Sequence, residues 1–202
     1  MNSINKLEEY FSRFPGIGPR QSKRFVYFLL TQPKSFHAEL AKLLKDLGSE
    51  VSECTLCHRF FTLDGADVIV CDICSSRNRS EDILLIVEKD VDLDNIERSN
   101  VYKGHYFVLG GVVPLLEKNP EEIIHTRRLS KRLKSSRFKE IILALSATPD
   151  GDNTSKFVRE FIKKLDLKNV PKISELGRGL STGSELEYSD MDTIKNALQN
   201  RH

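Results

Sequence analysis

The chain has 202 residues, room for one sizeable domain or for two to three small ones. Hydrophobic residues make up 39% and charged residues 30%, so cores can be buried beneath a strongly solvated surface. Lys plus Arg number 31 against 29 Asp plus Glu, so net charge alone points to no polyanionic partner and only its distribution could.

The opening "MNSINKLEEYFSRF" lacks the basic start and apolar run of a signal peptide, and no apolar run approaches the ~20 residues that span a bilayer. A soluble cytoplasmic protein is the expectation. Residues 4–13 read as a helix, with Ile4, Leu7 and Phe11 near one face. Gly16, Gly18 and Pro19 break it, a second helix follows at about 20–31 and, after Pro33, a third at about 35–50. Leu7, Phe11, Phe25, Phe28 and Leu29 are expected to form core rather than to stack on bases.

The break reads "FPGIGPRQSKRFVYFLL". Gly16 and Gly18 can take positive φ and put no side chain in the way of a ligand, and Pro19 suits a first helical turn. Free N–H groups and the dipole at a helix start make an anion site. Arg20, Lys23 and Arg24 stand at i, i+3, i+4 and share a face. A plain turn before a solvated basic face would also fit the glycines. With the basic triad, the segment resembles a helix-hairpin-helix, which holds one DNA backbone strand without reading sequence.

The four cysteines are grouped, which favours a metal over a disulfide framework. Cys54-x2-Cys57, thirteen residues, then Cys71-x2-Cys74 can point four thiolates at one ion and close a tetrahedral zinc shell. Two disulfides or redox CxxC pairs are the alternatives. A closed shell means structure rather than hydrolysis, for a segment too short to bury its own core. His58 is expected at the surface rather than on the metal.

From residue 82 onward strands alternate with helices: strands at 82–90, 104–111, 139–147 and 171–177, helices at 119–135 and 153–167. This pattern predicts a parallel α/β sheet. A Gly-rich loop and a short helix close the chain at 177–201. Glu88 ends the strand "ILLIVE", and Asp150 and Asp152 follow the strand "IILALS" in "TPDGD". Strand C-termini of a parallel sheet share one rim, so the three carboxylates could meet there around Mg²⁺, with one of them protonated if no cation is present. Acids that merely cap strands and turns would have the same spacing. The arrangement resembles the Toprim fold of topoisomerases and primases.

Taken together, these parts resemble the bacterial recombination mediators of the RecR family over nearly the whole chain. The hairpin, the four cysteines with "CDIC", "ILLIVE", "IERSNVYKGHYFVLGGVVPLL" and "RGLSTGSELEYSDMDTIKNAL" carry the likeness. It implies an α/β multidomain fold: a helix-hairpin-helix domain at 1–53, a four-cysteine zinc finger at 54–77, a Toprim domain at 78–173 and a C-terminal segment at 174–202. It also implies no catalytic activity. Dimeric or tetrameric rings that bind or encircle DNA are expected, loading RecA at gaps coated by single-strand-binding protein. RecO and, in many bacteria, RecF would be partners. The hairpin's DNA contacts map to Arg20 and Arg24, with Lys23 nearby, and the RecO-binding Toprim face to the surroundings of Glu88. One departure stands out. Where the family usually carries a Thr-x-Glu-Gly-Glu-like stretch, this chain has "TPDGDNTS", nearer to the Asp-x-Asp of Toprim enzymes. A Mg²⁺-dependent nuclease or primase-like enzyme is therefore the alternative function.

Overall fold

A computed structural model describes residues 2–63 and 68–201, so residues 64–67 of the cysteine segment lie outside it. The chain divides into two compact units, Met1–Val51 and Ser52–His202.

The first unit holds three helices: α1 (Ser3–Ser12), α2 (Pro19–Thr31) and α3 (Lys34–Glu50). Asn2 caps α1, its side chain accepting from the N–H of Asn5. Pro19 opens α2 at the position where a missing N–H costs nothing. Phe11 of α1 meets the edge of Phe25 of α2 at 5.7 Å between ring centres. Little of this unit is sealed from solvent. Within α2 only Ser22 and Val26 are buried, and α1 and α3 bury no residue. The expected core assignment of Leu7, Phe25 and Phe28 therefore fails: they are exposed at 41%, 41% and 54%. Three short helices do not enclose enough volume to cover their own apolar faces.

From the unit boundary onward, β1 (Val51–Glu53), β2 (Phe60–Thr62) and α4 (Asp72–Ser75) frame the cysteines. The chain then runs β3 (Ile83–Val87), α5 (Asp90–Arg98), β4 (His105–Val108), α6 (Pro120–Ile123), α7 (Thr126–Lys134), β5 (Glu140–Ala144), α8 (Pro149–Lys164), β6 (Lys172–Glu175) and α9 (Met191–Gln199). The sheet order is β4-β3-β5-β6, and all three pairings are parallel. Central β3 is apolar throughout because both of its faces are covered.

Alternate residues of the strands enter two cores. Leu84, Ile86, Phe107, Ile141 and Leu143 meet Leu129 and Leu133 of α7 and Val158 and Ile162 of α8. Leu85, Val87, Tyr106 and Val108 meet Leu93 of α5 and, on the same side, Cys54, Cys57, Phe61, Cys71 and Ile73. The cysteine segment thus forms part of one layer over the sheet.

Three elements differ from the sequence reading. The helix expected at 119–135 is two, α6 and α7, separated by extended Ile124. There the N–H of His125 donates to the carbonyl of Leu109 at 2.8 Å and Ile124 is buried, so tertiary burial outweighs helix continuity. Helix α5 was not anticipated, although acids in its first turn, Arg98 in its last and Asn100 at positive φ just beyond it are recognisable end signals. Helix α8 begins at Pro149 rather than near Asn153, with Thr148 capping it through the N–H of Gly151. Among the described residues no helix is long and apolar enough to cross a membrane.

Candidate functional site

The cysteine quartet is assembled by two matching turns. In each CxxC the carbonyl of the first cysteine accepts an N–H four residues on: His58 to Cys54 at 2.9 Å and Ser75 to Cys71 at 3.0 Å. The two turns face each other, and the N–H of Cys71 points at the sulfur of Cys54 at 3.4 Å. All four sulfurs lie within 4.8 Å of one another, and Cys57 and Cys71 are 3.6 Å apart. A tetrahedral ion with metal–sulfur bonds near 2.3 Å separates its sulfurs by about 3.8 Å, so the residues fit such an ion. No disulfide joins any of them. Cys54 is held far below the ordinary thiol range by hydrogen bonding from Cys57 and the other two sulfurs, and Cys57 is pushed above it by its bond to Cys54. Such crowding calls for a cation, which lets every sulfur ionise.

His58 is not the surface residue expected. Its backbone takes φ 64, its Nδ1 lies 2.8 Å from Glu53, and its ring packs edge-on to Phe107 and His125. Burial pushes its pKa down. Glu53 also pairs with Arg128 of α7, which pins the knuckle to the helix behind it. On the edge strand, the N–H of Val108 donates to the carbonyl of Cys57 at 2.8 Å.

At the hairpin, Gly16 has φ +76, while Gly18 is extended at φ −86 and only the first glycine uses the left-handed region. A Cβ built on Gly16 or on Gly18 meets nothing within 4 Å, so the turn is open to a ligand. Arg20, Lys23 and Arg24 are exposed on α2. Lys23 lies over the Tyr27 ring at 5.9 Å, and no acid among the described residues pairs with any of the three.

The acids at the sheet rim each have a separate partner. Glu88 is buried, 4% exposed, and accepts from the N–H of Ser146 at 2.6 Å and from its hydroxyl at 3.0 Å. Asp150 accepts from the N–H of Leu115 at 3.1 Å. Asp152 pairs with Arg178, whose hydrogen bond holds its carboxyl below the usual range, the reverse of the raised pKa that mutual repulsion predicts. Among the described residues, the four cysteines are the group whose ligand atoms converge as a metal site, and the three carboxylates do not join one. Gly151 between the two aspartates is required by space: a Cβ there would lie 2.0 Å from the carbonyl oxygen of Ser146. The two tyrosines of this region, Tyr102 and Tyr106, are tied up as well, bonding the carbonyls of Ile83 and His105 and the carboxylate of Glu97, with burial pushing both phenols up. Ser146 and Arg178 were missed in the sequence; no local spacing signals either.

A family model described as the Toprim domain matches residues 82–173, and one described as RecR, C-terminal, matches residues 179–202. The chain is 35% identical to a "Recombination protein RecR" of Prochlorococcus marinus (strain MIT 9312), over 98% of this chain and 94% of that protein. Proteins of the same name from Gloeobacter violaceus and Lactobacillus helveticus are 34% and 32% identical, each over 98% of this chain and 96% of the relative.

Proposed function

This chain belongs to the RecR family of recombination proteins, and we propose on that premise that it is a DNA-binding recombination mediator that works without turnover. The observation that carries the DNA contact is the hairpin: an open Gly16 turn leading into α2, with Arg20, Lys23 and Arg24 exposed and paired with no acid among the described residues. Such a surface neutralises phosphates without reading bases. Zinc is the ion assigned to Cys54, Cys57, Cys71 and Cys74, because four thiolates suit its softness and leave no open coordination position. Bound there, it supplies structure only: the knuckle completes the layer over Leu85 and Val87.

The finer reading follows the family. The hairpin domain at 1–53, the zinc finger at 54–77, the Toprim domain at 78–173 and the tail at 174–202 would work in a ring of two or four chains, in the cytoplasm at the nucleoid. RecO, with or without RecF, would dock near Glu88 and help to load RecA at single-strand gaps. Exposed apolar residues support self-association. Leu43, Leu44 and Leu47 form a stripe along α3 at 60%, 64% and 59% exposure, and Leu186, Tyr188 and Met191 stand exposed in the tail. Mg²⁺ is assigned no catalytic part, since Glu88, Asp150 and Asp152 are each engaged with protein donors.

Gel shift of gapped DNA, with and without Mg²⁺, tests the reading, with the DNA recovered afterwards. Retarded and intact DNA is expected in both lanes. Cleavage or synthesis that needs Mg²⁺ and disappears in Glu88→Ala/Asp150→Ala would make the protein a Toprim enzyme instead.

A further inference from the structure

Helix α7 carries cations where a helix does not favour them. Lys131, Arg132 and Lys134 in its last turn complement the negative end of the helix dipole. Arg127 and Arg128 sit in the first turn, where the dipole disfavours positive charge, and that turn has no acid. Dipole compensation therefore explains only part of the set.

Helical spacing gives the charges a common direction. Arg128, Lys131, Arg132 and Ser135 stand at i, i+3, i+4 and i+7 and line one wall of a cleft of ≈ 370 Å³, with the knuckle around Thr55 and Leu56 as the other wall. Leu56, Arg132 and Ser135 also line a second cleft, of ≈ 490 Å³, together with His105, Arg137 and Phe138. The shared residues make the two clefts one groove. From Arg128 to Ser135 the helix rises about 10 Å, the axial length of about three phosphates of one strand. The groove therefore matches a run of phosphates along one strand.

Two buried polar atoms at this groove have no partner among the described residues: Nε of Arg132 and Nδ1 of His105, the latter on a residue 7% exposed. A guanidinium Nε can only donate, so the missing group is an acceptor. Among the described residues, the nearby acids do not supply it. Glu53 pairs with Arg128, Asp82 pairs with Lys139 at 2.8 Å, and Glu81 lies exposed at the rim. Among the described residues no acid pairs with Lys131, Arg132 or Arg137.

We propose that the groove between the zinc knuckle and α7 is a second DNA contact, in which Lys131, Arg132 and Arg137 hold phosphates of a single strand. The inference rests on the DNA-binding reading above and adds a site to it. Binding of a labelled single-stranded oligonucleotide to the full, zinc-loaded chain, followed by anisotropy across a salt series, tests it. Lys131→Gln/Arg137→Gln removes two exposed cations that have no side-chain partner among the described residues. It should reduce the log-affinity against log-salt slope by about 1.4 and weaken binding by about 25-fold at 0.1 M salt, both following from ~0.7 per single-strand contact. Glu81→Gln should tighten binding, by about twofold for one unit charge acting through water. That gain cannot arise from misfolding. Unchanged affinity and slope in the double variant, with both reduced in Arg20→Gln/Arg24→Gln, would overturn the groove and leave the hairpin reading intact. A wild-type chain that does not bind the strand would sink the DNA-binding reading itself.

Discussion

The two units of this chain solve the burial problem differently. In Ser52–His202 a parallel sheet is covered on both faces, and Leu84, Ile86, Phe107 and Ile141 are sealed from solvent. Among the described residues of Met1–Val51, Val26 is the one apolar side chain that is buried, and α3 presents Leu43, Leu44 and Leu47 to solvent. A small helical unit that leaves an apolar stripe uncovered is suited to partners, whereas a two-sided sheet is suited to holding residues in place. The difference leaves the sheet unit with a sealed core and the helical unit with an uncovered apolar stripe.

The strongest way to break this contrast is to remove the knuckle from the sheet. Cys71→Ser leaves three thiolates for the ion, and structural zinc contributes about 10–16 kcal/mol to the folding of isolated finger peptides. Because Cys54, Cys57 and Cys71 share a core with Leu85 and Val87, the loss should spread into the sheet. Hydrogen exchange should show protection lost across β3 and β4, with α1 and α2 little changed. Protection of β3 equal to wild type would show that the knuckle is ornamental to the sheet.

A matched pair of leucine truncations sharpens the contrast. Leu84→Ala empties a fully buried position on the central strand and should cost about 2–5 kcal/mol. Leu44→Ala, at a position 64% exposed, should stay within about 0.5 kcal/mol when the chain is dilute and monomeric. At higher concentration the same change should shift the sedimenting mass downward, since it thins the stripe on α3. Urea titrations give the first two values. Equal costs at both sites in the dilute chain would erase the distinction between the units.

The smallest effect concerns the tie between α8 and the tail. Arg178 lowers the carboxyl pKa of Asp152, so this pair contributes stability above the unfolded Asp value of about 3.9 and loses it as pH falls through the lower, folded value. The side chains are 48% and 32% exposed, which limits the gain to about 1 kcal/mol or less. Arg178→Ala should therefore lower Tm slightly at pH 5–7, and the gap should close toward pH 3. A gap that widens on acidification would contradict the pairing.

Spacing along the chain carried the four-cysteine set and much of the fold. Two CxxC pairs specify a four-thiolate set because each knuckle is a local turn, and the structure brings the sulfurs within 4.8 Å. Apolar runs alternating with amphipathic segments specified the parallel sheet, and the basic spacing after the Gly16 turn placed three cations on one face of α2. Helix α5 also carries local end signals, in its acidic first turn and in Asn100 beyond its end.

Only the tertiary structure decided what the carboxylates and the apolar faces do. The donors to Glu88 lie 58 residues away on Ser146, and Arg178 lies 26 residues beyond Asp152, separations at which no periodicity operates. Burial of Ile124 split a helix that its local sequence would continue. The apolar pattern of α3 identifies a face to be covered, but what covers it is a matter of available volume. Three short helices do not enclose that volume, while a sheet flanked on both sides does.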